Sequence, residues 1–525
     1  MSDQRPDGYA APESGSTPEH QWEAASAQPE KAPRASGTAA KAGIAGLAAV
    51  ALLGGGVAVA DPFGWRGGSS SKLVAADIVP ASASAYGGVN LDPGISQQVE
   101  MVKFAMKFPG IKDNINLSEQ GDIKQQVWES VTKDKPCTDV NYDADIKPWL
   151  GDQIAGAVLD STKNSIVVVQ ASDEAKARTG MEKLGKCWDW KTVGLAYRDG
   201  FLVAAESQTV ADKAVADGKA NPLSKRAEYT EDFGKVGTQG VASFWATKEG
   251  LEKLAESDAV TKAEGDTGLP SAIPSAGSLA GAQDFRSMAG TLRFADGNPE
   301  MRVASKSNTA MKTSTTHTGL DKLPSDTTVA IGMSDGSQAV DDNWELAKKA
   351  LEESGMTVAD LERQANVKLP DDLKTLLGED LRVSVGKIPT SMASPTDLPI
   401  AISSKTDKVK LQELLDRTQV SAAGITVTEG QDGVQVAAMN TSWAQLVASG
   451  KENLLGEQDV FKTAYPTAEQ AQFGLYVNID AFKSQLTSGM SAADKANIEP
   501  LQAVGISSHT EDANYGVMVA RVTAK

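Results

Sequence analysis

A set of short landmarks occurs twice along this chain in the same order, and this repetition constrains the fold more than any other feature. The first set and its counterparts are Pro80, Gly151 and Asp199-Gly200, then Pro324, Gly378 and Asp432-Gly433. Their separations are 244, 227 and 233 residues, so insertions fall between the landmarks, where loops tolerate them. We therefore predict two tandem copies of one module, over residues 73–304 and 323–525.

Each predicted module contains the same succession of elements: strand, helix, strand, strand, helix, hairpin, helix, strand, helix, hairpin. An Asp-Gly dipeptide, which is typical of a tight hairpin turn, lies at the same place in both copies. Strands joined by short turns predict mostly antiparallel sheets, and we expect the helices to pack on one face of them. The predicted fold class is α+β, and the sequence leaves open whether the copies share one sheet.

The first 72 residues differ in composition from the rest of the chain. Residues 1–41 are rich in Pro, Ser, Ala and Glu, so they bury too little apolar surface to offset their ordering entropy, and we predict a disordered cytoplasmic tail. Residues 42–60 carry no charge and would span about 28 Å as a helix, which suits a transmembrane anchor. Residues 61–72 are predicted to form a flexible tether, and residues 305–322 a linker between the modules.

The apolar stretch admits a second interpretation, a cleaved signal peptide. Ala58-Val59-Ala60 matches the small-x-small cleavage pattern, and basic residues precede the stretch. Against cleavage, the polar leader is about forty residues long, and Phe63 and Trp65 suit an interfacial anchor. Both interpretations place the modules outside the cytoplasm. We predict the uncleaved form: a single-pass protein of the cell membrane, with a cytoplasmic N-terminus and extracellular modules.

Several short motifs carry a family resemblance. Val79-Pro80-Ala81-Ser82, the following segment 85–93, and Phe104 with Phe108-Pro109-Gly110 resemble the domain-of-unknown-function 3352 family. The resemblance extends roughly from Leu73 to the C-terminus. It implies a bacterial, envelope-associated protein with one membrane span and a large exported part, and it assigns no activity to any position.

The two cysteines, Cys137 and Cys187, both lie in the first predicted module. Because exported proteins meet oxidising conditions, we predict a disulfide between them, and two buried free thiols are the alternative. Trp188 and Trp190 follow directly. We expect them on a strand edge, one ring buried and the other covering it, although an exposed pair would suit a sugar- or lipid-contacting patch.

Charge and motif content exclude several classes of function. The net charge of −18 repels phosphate backbones, so we expect no nucleic-acid partner. Two cysteines and three histidines are too few for zinc-finger arrays or iron–sulfur clusters. The sequence lacks a nucleophile elbow, a zinc-protease motif and a nucleotide-binding glycine loop, and Ser130-x-x-Lys133 lacks the companion motifs of penicillin-binding enzymes. We predict no catalytic residue, metal or cofactor.

Two further patterns resemble functional sites but receive structural interpretations. Asn141, Asp143 and Asp145 alternate like the first half of a calcium loop, yet Ile146 stands where an EF-hand requires glycine. Asp145 is instead expected to cap a short helix. His509 is expected at the surface, in the final hairpin turn.

These observations favour a non-catalytic binding or scaffold protein of the cell envelope. Its expected partners are the membrane, through one N-terminal helix, and an envelope protein or a lipid. The alternative is a carrier of lipids or other apolar ligands, which calls for a continuous apolar cavity of several hundred Å³. A hydrolase would need a buried, pKa-shifted carboxylate or histidine in a cleft.

Overall fold

A computed structural model describes most of the chain from residue 73 onward. The described ranges are 73–91, 94–109, 123–132, 136–159, 165–190, 192–237, 240–255, 284–311, 314, 316–353, 355–389, 394–420, 424–451 and 453–525. The predicted tail, membrane anchor and tether, at 1–41, 42–60 and 61–72, lie outside these ranges. Within them, no helix is both long and apolar enough to cross a bilayer.

The described strands all belong to one antiparallel sheet of 16 strands. The first half of the sheet contains β1 Ala85–Asn90, β2 Leu150–Val158, β3 Ser165–Ala171, β4 Gly194–Arg198, β5 Phe201–Ala205, β6 Ala242–Thr247, β7 Phe285–Ala295 and β8 Asn298–Ser307. The second half contains β9 Val329–Ser334, β10 Asp380–Val385, β11 Ile400–Lys405, β12 Thr426–Glu429, β13 Val434–Ala438, β14 Phe473–Asn478, β15 Leu501–Asp512 and β16 Tyr515–Ala524. The α+β class is confirmed, and both halves contribute to one sheet.

The order of the strands is the same in both halves. Across the sheet it is β12-β13-β11-β10-β9-β14-β15-β16-β8-β7-β6-β1-β2-β3-β5-β4. Outward from the central pair β16–β8, each half presents its eighth, seventh, sixth, first, second, third, fifth and fourth strand. The pair β16–β8 is therefore the seam along which the halves join.

Helices connect the strands in both halves. The helices of the first half are α1 Ala75–Ile78, α2 Ile95–Ala105, α3 Ile123–Thr132, α4 Glu174–Cys187, α5 Gln208–Ala220, α6 Ala227–Val236 and α7 Lys248–Ala255. Those of the second half are α8 Gly336–Glu353, α9 Val358–Ala365, α10 Asp371–Leu377, α11 Lys408–Arg417, α12 Thr441–Ser449, α13 Asp459–Ala464, α14 Lys483–Leu486 and α15 Ala492–Ile498.

One face of the sheet, here called face A, is covered in both halves. In the first half Ile166 and Val168 of β3 point to this face and pack with α1, α5 and α6 in one buried cluster. In the second half Ala401 and Val436 occupy the same face and pack with α12 and α13. Successive side chains of a strand point to opposite faces, so every second side chain meets the helices on face A.

The opposite face, face B, is also covered in the first half. Val167 and Val169 of β3 pack there against α4, and Ala85 and Ala246 pack against α7. The prediction that helices pack on one face only is therefore wrong for this half. Its strands are apolar at consecutive positions, which is typical of strands buried on both sides.

The two predicted Asp-Gly turns differ in length. Asp199 and Gly200 connect β4 to β5 directly, with φ of 50° and 88°, as the left-handed positions of a two-residue hairpin require. The second dipeptide lies within a 3₁₀ turn, Gln431–Gly433, because β12 already ends at Glu429. The second hairpin therefore has a longer connection than the first.

Candidate binding surface and buried polar clusters

Cys137 and Cys187 are joined in a disulfide, with their Cα atoms 5.5 Å apart. The bridge ties the segment before β2 to the end of α4, within the cluster that covers face B. Trp188 and Trp190 follow the helix and are both buried, with ring centroids 5.5 Å apart. They lie in a helix-ending turn and not on a strand edge as predicted, so neither ring is available to a sugar or lipid.

Asn141 and Asp145 of the calcium-like pattern both form hydrogen bonds with other groups of the protein. Asn141 caps the π-helical turn Tyr142–Ile146, and its Oδ1 accepts a hydrogen bond from the Ala144 N–H at 2.9 Å. Asp145 lies inside that turn, so the prediction that it is the cap is wrong. Its carboxylate accepts from Lys183 Nζ at 2.6 Å and from the Asn141 N–H at 2.9 Å. The Lys183 hydrogen bond, followed by that from Asn141, lowers the pKa of Asp145.

His509 lies within β15 and is buried, so its predicted position in a surface turn is wrong. Its Nε2 is 3.2 Å from Glu511 Oε2, and among the described residues its buried Nδ1 has no hydrogen-bond partner. Ser507, on the same face of the strand, is hydrogen-bonded to Thr467. A histidine and a carboxylate are thus in contact, while the Ser507 hydroxyl on that face is hydrogen-bonded to another residue.

A polar cleft of about 380 Å³ lies beside His509. Hydroxyl, amide and carboxylate side chains line it together with the imidazole: Ser314, Thr316, Glu469, Gln470, Gln472, His509, Thr510 and Glu511. Gln472 is already engaged, since its Oε1 accepts from both the N–H and the hydroxyl of Thr510 at 2.9 Å. Among the described residues, no group of three or more His, Cys, Asp or Glu side chains could hold a metal ion.

A buried ion network crosses the seam between the two halves. Glu300 of β8 accepts hydrogen bonds from Arg521 of β16, at 3.0 and 2.5 Å, and from Arg293 of β7, at 2.9 and 2.6 Å. Arg521 also contacts Asp296 at 3.0 Å and donates to the Thr463 carbonyl at 3.1 Å. Burial alone would raise the pKa of Glu300, but the two guanidinium groups hold it below its ordinary value.

A second buried carboxylate, Asp232, lies between α6 and the sheet. The Tyr515 hydroxyl donates to its Oδ1 at 2.7 Å, and Trp245 Nε1 donates to its Oδ2 at 2.8 Å. Burial raises the pKa of Asp232, although both hydrogen bonds act in the opposite direction. Because Tyr515 belongs to β16 and Trp245 to β6, this cluster also connects the halves. The residue has no exposed surface, so a substrate cannot reach its oxygens.

Face B is partly exposed in the second half, over strands β14, β9, β10 and β11. Cross-strand register aligns eight aliphatic side chains there in two rows, Leu475–Ile331–Val383–Ile402 and Val477–Val329–Val385–Ile400. We call these eight residues the apolar face. Ile331, Ile400 and Ile402 are 40%, 42% and 37% exposed, and the other five are half-buried. This is a contiguous apolar surface on a fold whose other sheet surfaces are largely covered.

The equivalent positions of the first half are occupied differently. The corresponding rows there are Phe244–Gly87–Gly156–Val167 and Ala246–Ala85–Val158–Ser165. All but Phe244 are buried. At these positions the first half has smaller side chains beneath covering helices. The second half has larger side chains, and they are more exposed.

Close approach of a helix explains part of this difference. In the first half α7 packs on β6 and β7, and a Cβ on its Gly250 would lie 2.0 Å from the Ser84 carbonyl oxygen. Only glycine permits that contact. Ala481 holds the equivalent place in the second half, in the 3₁₀ turn Ile479–Phe482, which packs against β15 instead.

Sequence reasoning missed both the ion network and the apolar face. The sequence does not distinguish Glu300, Arg293 and Arg521 from other charged residues in strands. They form a network because β8 and β16 lie side by side at the seam. The apolar face had a visible signal, because large aliphatic residues in β9, β10 and β11 alternate with Ala, Gly and Ser. That alternation shows two different faces without showing which one is covered.

Comparison with known proteins yields one match. A family model described as a protein of unknown function, DUF3352, matches residues 37–521. No curated protein and no solved structure matches the chain.

Proposed function

We propose that this chain, which belongs to the DUF3352 family of unknown function, is a membrane-anchored exported binding protein whose ligand occupies the apolar face. The family match extends from within the predicted tail across both halves of the sheet, and it includes the predicted anchor. One observation carries the proposal: two halves with the same strand order differ in that face B is covered by described helices in the first half and is partly exposed in the second. Contiguous exposed apolar surface marks interaction sites.

We further propose that the halves arose by duplication, and the strand register supports this. Ala85 pairs with Val158, and Val329, 244 positions after Ala85, pairs with Val385, 227 positions after Val158. These are the separations of the proline and glycine landmarks in the sequence. At the seam Arg302 pairs with Val519, its own equivalent when the hairpins β7–β8 and β15–β16 are superposed. A position that meets its own equivalent lies on a twofold axis.

Duplication gives the difference between the halves a functional meaning. A copied module begins with the same surface on each half, and a second copy is free to change one face while the first maintains the fold. Binding suits such a pair better than catalysis, since the buried carboxylates Glu300 and Asp232 connect the halves at the seam. Each of their carboxylate oxygens accepts a hydrogen bond from the protein.

A hydrolase with an unrecognised site is the competing class. Its strongest support is the polar cleft at His509, which places an imidazole 3.2 Å from a carboxylate. Among the described residues no hydroxyl is hydrogen-bonded to this imidazole, because Nε2 contacts Glu511 and Nδ1 has no partner, whereas an activated nucleophile is bonded to its base. The apolar face therefore supports binding more strongly than the cleft supports hydrolysis.

Site-specific photocrosslinking in living cells tests the proposal. A photoreactive residue replaces Ile402, on the apolar face, in the full chain. The control position is Leu446, which is 51% exposed on α12, the helix that packs on face A. We expect covalent adducts at Ile402 and few at Leu446. Equal labelling at both positions, or none at either, would argue against a binding role for the apolar face.

A further inference from the structure

We infer that the apolar face binds the acyl chain of a membrane lipid. This inference rests on the proposed function, because it identifies the ligand of the same surface. The eight side chains carry no hydrogen-bonding group, and the strands beneath them are paired with each other through their backbones. A ligand at this surface therefore meets hydrocarbon alone, and any polar group it carried into the contact would lose its hydrogen bonds.

The residue types in the apolar face argue against a folded protein as the occupant. The residues that dominate binding at protein–protein interfaces are most often Trp, Tyr and Arg. The apolar face contains only Val, Leu and Ile, and the next row on the same side of the sheet is Phe473–Met333–Leu381–Ser404. Neither the apolar face nor that row includes Trp, Tyr or Arg.

The size of the apolar face argues against a second copy of the chain. Its most exposed residue, Ile400, is 42% exposed, and five of the eight are half-buried. Such a patch offers on the order of a few hundred Å². A stable protein–protein interface buries about 800 Å² on each partner. A narrow ligand makes full use of a small surface, whereas a protein does not.

The dimensions of the apolar face suit a hydrocarbon chain. Four neighbouring strands, about 4.8 Å apart, place the first and last side chains of each row about 14 Å from one another. An acyl chain lying along the rows would contact Leu475, Ile331, Val383 and Ile402 in turn on one side. It would contact the residues of the second row on the other side.

The predicted anchor supplies the source of the lipid. The tether over residues 61–72 reaches at most about 40 Å when fully extended, and the described fold begins at Leu73. The fold is therefore held close to a bilayer, where acyl chains are the most abundant apolar groups.

A photoreactive lipid tests this inference on the full chain. The purified protein is reconstituted into vesicles of phosphatidylcholine and phosphatidylglycerol that include a phosphatidylcholine with a diazirine near the end of one acyl chain. After irradiation, labelled peptides are identified by mass spectrometry. We expect label on peptides from β9, β10 and β11 as well as on residues 42–60. Ile402→Asp should reduce the strand label at least fivefold, while Leu446→Asp leaves it unchanged.

The outcomes separate the lipid inference from the proposed function. Label confined to residues 42–60 overturns the lipid inference. If the photoreactive residue at Ile402 captures another protein or a second copy while the strands stay free of lipid label, the inference fails and the binding function stands. If neither experiment labels the apolar face, both fail. Unfolding curves of the two Asp variants that match wild type ensure that a lost label does not reflect a lost fold.

Discussion

Replacing Glu300 by glutamine tests whether the buried ion network holds the two halves of the sheet together. Glutamine keeps the size of the side chain but removes its charge, and it turns an accepting oxygen into an N–H group that faces guanidinium donors. Removing one partner from a buried ion pair costs about 3–5 kcal/mol. Arg521 keeps Asp296 and the Thr463 carbonyl, so we expect a loss near the lower end, about 3 kcal/mol.

Hydrogen exchange of the full chain measures this loss where it occurs. A destabilisation of about 3 kcal/mol corresponds to a roughly 150-fold larger opening equilibrium, so amides of β8 and β16 should exchange faster by about that factor. Glu249→Gln is the matched control. Glu249 is largely exposed and pairs with Lys253 at 2.5 Å within α7, and its loss should change exchange at the seam by less than about 0.5 kcal/mol.

The pH dependence of Glu300→Gln provides a second test. The folded-state pKa of Glu300 lies below its ordinary value of 4.5, so the stabilisation by this carboxylate is present above that value. It is lost as the pH falls through the folded-state pKa, and the difference between variant and wild type should shrink in that range. If the seam amides of Glu300→Gln exchanged at wild-type rates at neutral pH, the reasoning would be refuted. A difference that persists unchanged below the folded-state pKa would refute it as well.

Three other predictions concern the core, the disulfide and the anchor. Burial raises the pKa of Asp232 above its ordinary value of 3.8. Ionisation of this carboxylate therefore lowers the stability of the wild type as the pH rises from about 3.8 to the raised pKa. Asp232→Asn should lack this loss, so its stability relative to wild type should increase over that interval, opposite in sign to the effect at Glu300. Urea unfolding at several pH values measures this, and a stability difference that stays constant across the interval would contradict the assignment. The double variant Cys137→Ser, Cys187→Ser should lose up to about 4 kcal/mol, because the bridge closes a separation of 50 residues. Alkylation of denatured, unreduced wild type should find no free thiol, and two labelled thiols would reject the pair. The mature protein should keep its N-terminal tail and stay with membranes after carbonate washing, whereas recovery of a form that begins at Asp61 would establish cleavage.

Local signals in the sequence determined the elements and much of their order. The recurring Pro, Gly and Asp-Gly landmarks lie at element ends, where backbone conformation depends on the residue itself. Likewise, the disulfide could be predicted because Cys137 and Cys187 are the two cysteines of the sequence and both lie in the part that is predicted to be exported. Such features depend on nearest neighbours or on residue type, which a sequence displays directly.

Packing between distant segments was decided only by the tertiary structure. Trp188 and Trp190 were expected on a strand because alternation suggests one, but α4 continues to Cys187 and they follow its end. His509 was expected in a turn because polar residues surround it, yet β15 extends to Asp512 and buries it. In both cases the strand or helix extends beyond the residues whose local sequence favours it, because tertiary contacts stabilise its last residues.

The apolar face and the seam illustrate the same limit most fully. Alternation along β9, β10 and β11 divides their side chains between two faces, and that division follows from the pleat alone. Which face is covered depends on where helices from other parts of the chain come to lie, as the contact of Gly250 with Ser84 shows in the first half. The pairing of Glu300 with Arg521 spans 221 residues and requires both hairpins to meet edge to edge. Periodicity is a property of a segment and can be predicted from it, whereas burial is a property of the surroundings that the whole chain creates.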